Sequence, residues 1–202
     1  MQAEKWPSRV RPAYAGIGSR ETPSEVIELM ERIARALAAR GWVLHTGMAE
    51  GADQAFYRGA AGVGPVELYL PWPAFERQAR VHGTRECVLA QPARAAHDVA
   101  ARFHPVWSRL GSGPRRLHAR NCHQVLGADL ATPARMVVCW TPDGSLDGRG
   151  RRVGGTGQAL RVASHSGIEV VNLARREHEE RVCAKLAVWE HSRDAAVLTR
   201  GR

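Results

Sequence analysis

Three short stretches of this chain carry residues suited to holding phosphate oxygens. Gly18-Ser19-Arg20 closes the apolar run Ala13-Tyr14-Ala15-Gly16-Ile17. Gly47-Met48-Ala49-Glu50-Gly51-Ala52-Asp53 closes Trp42-Val43-Leu44-His45-Thr46, and Gly154-Gly155-Thr156-Gly157 leads into a helical pattern. Glycine lets an anion approach the backbone, Ser19 offers a hydroxyl, and Arg20 offers a planar fork of donors. Where such a stretch opens a helix, the first amides have no internal partner and the helix dipole adds partial positive charge. Asp53, in a first helical turn, suits the dipole or a ligand hydroxyl. Arg120-Asn121 ends the densest basic cluster, Arg115-Arg116-Leu117-His118-Ala119-Arg120-Asn121. Each stretch alone also fits an ordinary turn or a solvated helix face. Together they point to anion binding.

The elements around them must bring them to one place. Thr22-Pro23-Ser24-Glu25 reads as a capping box with proline at the first helical position. Val26, Ile27, Met30, Ile33, Ala34 and Leu37 then recur at helical spacing as far as Arg40, and Gly41 suits the stop. Strands are expected at 13–17, 42–46, 66–70, 135–140 and 169–173, with helices at about 52–61, 115–126 and 158–166. Alternating strands and helices predict an α/β fold, a Rossmann-like parallel sheet flanked by helices. Ligands of such sheets bind at the carboxyl ends of the strands, where the glycine turns lie. Residues 1–12 read as an irregular lead-in, 13–174 as the domain, 74–113 as a helical insertion within it, and 175–202 as a C-terminal helical tail. Val182, Leu186 and Trp189 stripe that tail, so it packs either on the domain or on a second subunit.

Composition narrows the partners. Of 202 residues, 29 are Lys or Arg against 20 Asp or Glu, a formal net charge of +9. Almost all the cations are arginine, which favours phosphate-bearing partners, although an arginine-rich codon usage gives the same excess. The apolar fraction of 44% is ample for a core. No run is long enough to span a membrane, and the start carries no apolar leader. Cys87, Cys122, Cys139 and Cys183 are far apart, which reads as reduced thiols and a cytoplasmic protein. His118, Cys122 and His123 lack a second cluster to complete a metal site, so no metal and no cofactor is expected.

Taken in order, G-S-R, T-G-M-A-E-G-A-D, R-N and G-G-T after an apolar strand, the motifs resemble the SMF/DprA–LOG superfamily, often called SLOG. That superfamily includes the DNA-processing protein A group and the Lonely Guy phosphoribohydrolases, and the resemblance spans about Tyr14 to Ala174. It implies a Rossmann-like domain with a nucleotide pocket. Gly18, Ser19 and Arg20 match its first loop, and Gly47, Met48, Gly51 and Asp53 fall in its second. Arg120 and Asn121 look like the Arg-Asn pair of the DNA-processing group, and Gly154, Gly155 and Thr156 match the final phosphate loop. The chain departs from the phosphoribohydrolase motif P-G-G-x-G-T-x-x-E. Val153 stands for its proline, Gln158 for its threonine and Arg161 for its catalytic glutamate.

Three functions are compatible with this pattern. The first is binding of a nucleotide or nucleotide-derived phosphate ligand, as a sensor or sequestering protein. The second is N-glycosidic hydrolysis by a nucleoside 5′-monophosphate phosphoribohydrolase, with Glu50 or Asp53 as the catalytic carboxylate stabilising an oxocarbenium-like state. The third is single-stranded DNA binding, supported by Arg109, Arg115, Arg116 and Arg120; against it, no clear stacking row is read, since Trp72, Phe103 and Trp107 fit core positions equally well. A homo-oligomer without membrane partners is expected.

Overall fold

The computed structural model describes residues 11–79, 86–151 and 154–200, with side chains described as far as 191. Most of the lead-in, together with Val153 and the last two residues of the tail, lies outside the described residues. Six strands form one parallel sheet: β1 Ala13–Gly16, β2 Val43–Thr46, β3 Val66–Tyr69, β4 Glu86–Leu89, β5 Met136–Cys139 and β6 Glu169–Asn172. Their order is β4-β3-β2-β1-β5-β6. The chain therefore runs outward from β1 to β4, then crosses back to lay β5 on the other side of β1. The carboxyl ends of β1 and β5 are the switch point of the topology, where a crevice opens.

The period of two along the strands divides the core. Tyr14, Leu44, Val66, Leu68 and Val138 face one layer, helices α1 Ser24–Ala38, α2 Ala52–Ala60 and α6 Arg176–Arg200. Ala15, Val137 and Cys139 face the other, helices α3 Arg94–Phe103, α4 Ser112–Leu126 and α5 Thr156–His165. Burying a large apolar side chain such as Met30, Leu44 or Leu160 contributes about 1.5–3 kcal/mol each, so both layers are driven by the same effect.

Two local expectations are corrected, and one open alternative is decided. The segment 74–113 is not a purely helical insertion. Residues 86–89 add a sixth strand at the sheet edge, in register with 66–69. Glu86-Cys87-Val88-Leu89 shows no alternation and none of the four is fully buried, as suits a half-exposed edge strand, so it reads weakly in sequence. Thr22 does not cap α1 either. Its hydroxyl donates to the Ser19 carbonyl at 2.7 Å, and α1 starts after Pro23 with no side-chain cap. Finally, the tail packs on the domain. Leu186 is buried in the α1 layer, Arg40 lies over the Trp189 ring at 4.1 Å, and Arg32 pairs with Glu190 at 3.0 Å.

Candidate functional site

A cavity of about 360 Å³ opens at the switch point. The first loop reaches it because its amides are fastened to β5: Ile17 donates to the Val138 carbonyl and Ser19 to the Trp140 carbonyl, both at 3.2 Å. Gly18 permits this approach, since a Cβ there would stand 2.6 Å from the Ala52 Cβ. Ser19 accepts from the Glu21 amide at 3.0 Å, which leaves its own proton to give. Arg20 is exposed on the rim, with no carboxylate partner among the described residues.

The opposite wall is the start of α5. Gly154, Gly155 and Thr156 line the cavity, with Gly154 in the left-handed region at φ 52°. Among the described residues, the amides of these three donate to no protein acceptor, as the first turn of a helix allows. Asn121 holds this loop against α4 by donating to the Gly155 carbonyl at 3.3 Å. Helix α4 forms the third wall with Leu117, His118, Arg120, Asn121 and Gln124, positions that share one helical face.

The second loop has turned inward. Asp53 is 3% exposed and Arg120 is 4% exposed. Arg120 Nη1 donates to Asp53 Oδ2 at 2.7 Å, and the same oxygen accepts from the Ala49 amide at 3.3 Å and from Gln124 Nε2 at 3.4 Å. Gly47 is the space through which this pair forms. A Cβ there would lie 1.6 Å from Arg120 Nη1. Gly51 sits behind the first loop at φ 85°, where a Cβ would meet the Ser19 carbonyl at 2.8 Å. Met48, at φ 64°, is wholly buried in the α1–α2 core. Of three expected anion-binding helix starts, that of α5 opens on the cavity, whereas α1 begins at Ser24, beyond the Gly18–Glu21 loop that lines it. In the loop before α2, the Ala49 amide is occupied by the chain's own Asp53 carboxylate.

The cavity thus brings together Gly18, Ser19, Arg20, Asp53, Arg120, Asn121, Gly154, Gly155 and Thr156. Gly47, Met48 and Gly51 do not line it, and Glu50 is exposed outside it. Sequence reasoning missed Gln124 as a third donor to Asp53, and it read His118 only as part of a helix face. The signal for both was their spacing of three residues from Asn121 on one helix. Burial, the neighbouring His104 ring and the cations Arg120 and Arg161 hold His118 down at about 4, against the pull of Gln158. Arg161 does not line the cavity and donates to the carbonyls of Phe103 and Gly148.

The three aromatic candidates do not form a stacking row. Trp72 packs edge-on against Phe75, Phe103 against His165, and Trp107 between His97 and His104. Arg115 is drawn back to the Ser108 carbonyl at 3.2 Å. Among the described residues, no group of His, Cys, Asp or Glu is placed to hold a metal, and no helix is long and apolar enough to cross a membrane.

Comparison with protein-family models and with curated proteins found no match. The chain is similar to solved structures. One is the Moco carrier protein of Chlamydomonas rheinhardtii, at 19% identity and a TM-score of 0.46, with 87% of this chain and 84% of that chain covered. DNA processing protein A from Streptococcus pneumoniae is similar at 18% identity and a TM-score of 0.38, over 80% of this chain and 58% of that one. DNA processing protein A from Helicobacter pylori, described for its single-stranded DNA binding mode, gives 13% identity and 0.37, over 87% and 80%. Likeness at this distance fixes no ligand.

Proposed function

We propose that this protein belongs with the SLOG-type nucleotide-binding proteins and holds a nucleotide, or a nucleotide-derived phosphate ligand, in the switch-point cavity. One observation carries the reading. The Ser19–Arg20 loop and the open amides of Gly154–Thr156 face one cavity, with Arg20 unpaired among the described residues. Preorganised amides, a helix dipole and a guanidinium are what a phosphate requires, and the α4 wall gives an organic group somewhere to lie. The cavity lies within the range usual for small-molecule sites.

Binding without turnover suits the carboxylates better than hydrolysis does. Asp53 is committed to Arg120, and Glu50 is outside the cavity. A carboxylate already neutralised by a buried guanidinium is a poor stabiliser of an oxocarbenium-like charge.

Nucleoside monophosphates titrated into the purified protein by calorimetry test this. We expect saturable binding, and we expect Arg20→Ala to weaken it by about ten- to a hundredfold, the loss of a charge-assisted phosphate contact. Failure of every nucleotide to bind sinks the reading. Release of free base during incubation would move the protein to the phosphoribohydrolases.

A further inference from the structure

The α4 wall holds a chain of side-chain contacts that the phosphate reading does not use. Cys122 is buried on α4, and its thiol donates to the His118 carbonyl one turn earlier at 3.5 Å. The thiol proton is thereby spent, so the sulfur can only accept. It accepts from Gln158 Nε2 of α5 at 3.2 Å. This fixes the orientation of the Gln158 amide, which otherwise could be turned over. The amide oxygen must face the other way.

That oxygen is buried in a residue with no exposure, and it has no hydrogen-bond partner. His118 Nδ1 is likewise shut off from solvent and unpartnered. The two side chains are neighbours, close enough for the amide to favour the protonated ring while short of hydrogen-bond geometry. An amide oxygen can only accept. Nδ1 can answer it only by carrying the proton. In a neutral imidazole the proton sits on one nitrogen, so Nε2 is left with a lone pair. Among the described residues Nε2 makes no hydrogen bond, and His118 lines the cavity. The ring is neutral near pH 7, since its surroundings hold it at about 4.

We infer that His118, oriented by Gln158, is the specificity-determining acceptor of the cavity. Its Nε2 takes a hydrogen bond from an amino or hydroxyl donor on the non-phosphate part of the ligand. This rests on the nucleotide reading and deepens it. The loops that face the cavity present donors: the Ser19 hydroxyl, Arg20 and the amides of Gly154–Thr156. A phosphate satisfies those. An acceptor on the α4 wall selects for something phosphate lacks, a neutral N–H or O–H. Leu117 and Pro114 beside it give that group an apolar bed.

Three nucleotide pairs differing in one donor test the inference. Adenosine monophosphate is compared with purine riboside monophosphate, and cytidine monophosphate with its deamino analogue. Adenosine monophosphate is also compared with deoxyadenosine monophosphate, which probes a sugar hydroxyl. We expect at least one pair to differ by about tenfold in Kd, the scale of one hydrogen bond. We expect His118→Phe to erase that difference and His118→Gln, which keeps an acceptor, to restore part of it. Long-range proton–nitrogen spectra of the labelled protein give a readout independent of ligand. They should show His118 protonated on Nδ1, and Gln158→Leu should shift the tautomer balance towards Nε2. Equal affinities within every pair, or a wild-type proton on Nε2, overturn this inference while the nucleotide reading stands. No binding by any nucleotide overturns both.

Discussion

At the residue scale, the Asp53–Arg120 pair governs the floor of the site. Removing water from two charges costs several kcal/mol, and the 2.7 Å contact with Gln124 and the Ala49 amide beside it offsets that cost. Truncating one partner leaves the other buried and unpaired. Asp53→Ala is therefore expected to lower unfolding stability by about 3–5 kcal/mol in urea titration, while the double change Asp53→Ala with Arg120→Met costs less than the sum of the two single changes. A pair that contributes nothing would leave the double additive. Tyr14 makes the opposite prediction. Its hydroxyl is buried without a partner, and burial alone pushes its pKa up. Replacing it by Phe removes an unsatisfied polar atom and keeps the edge-on contacts with Trp42 and Phe56, so stability should rise by about 1 kcal/mol. A fall in stability would show that the hydroxyl has a partner in solution.

At the element scale, α5 does two jobs from two of its faces. Its first residues open on the cavity, while Arg161, one turn on, ties α3 and the loop before α5 through the Phe103 and Gly148 carbonyls. In the resemblance to the phosphoribohydrolases, Arg161 stands where a catalytic glutamate would be. Restoring that residue by Arg161→Glu is expected to give no base release, because this side chain is turned to the carbonyls. The same change should cost about 1–3 kcal/mol, since two carbonyls lose a charged donor and face a carboxylate. Base release from nucleoside monophosphates by this variant would refute the placement. Helix α4 shows why an aligned motif is only half a site. Arg120 and Asn121 are adjacent in sequence yet leave the helix about 100° apart. One supports the floor and the other clamps the Gly155 carbonyl.

At the scale of the whole molecule, buried imidazoles couple stability to pH. His45, His118 and His123 are each held below the ordinary value of 6.5, first of all by burial. The unfolded chain therefore takes up protons before the folded one does as pH falls. The stability associated with these groups is intact above about 6.5. It declines as pH falls through that value, and the His118 contribution levels off below about 4. Asp129 and Asp147, whose values are lowered chiefly by backbone amides, add a further loss only below 3.8. Urea midpoints measured from pH about 8 to about 4 should fall steadily, and a flat profile would contradict the burial of these rings.

The sequence by itself determined the alternating elements, the parallel sheet and the two loops that face the cavity. Each of those is written within a few neighbouring residues: an apolar run, a glycine where the chain must turn, and a helix repeat. Tertiary structure decided which of the expected groups stay available to a ligand. Asp53 and Arg120 are 67 positions apart, and no local pattern says that a bare Gly47 lets them meet. The edge strand at 86–89, the inward turn of the second loop and the orientation of His118 by Gln158 have the same origin. Each is settled by what packs against a residue from a distant part of the chain, and local periodicity carries no record of that.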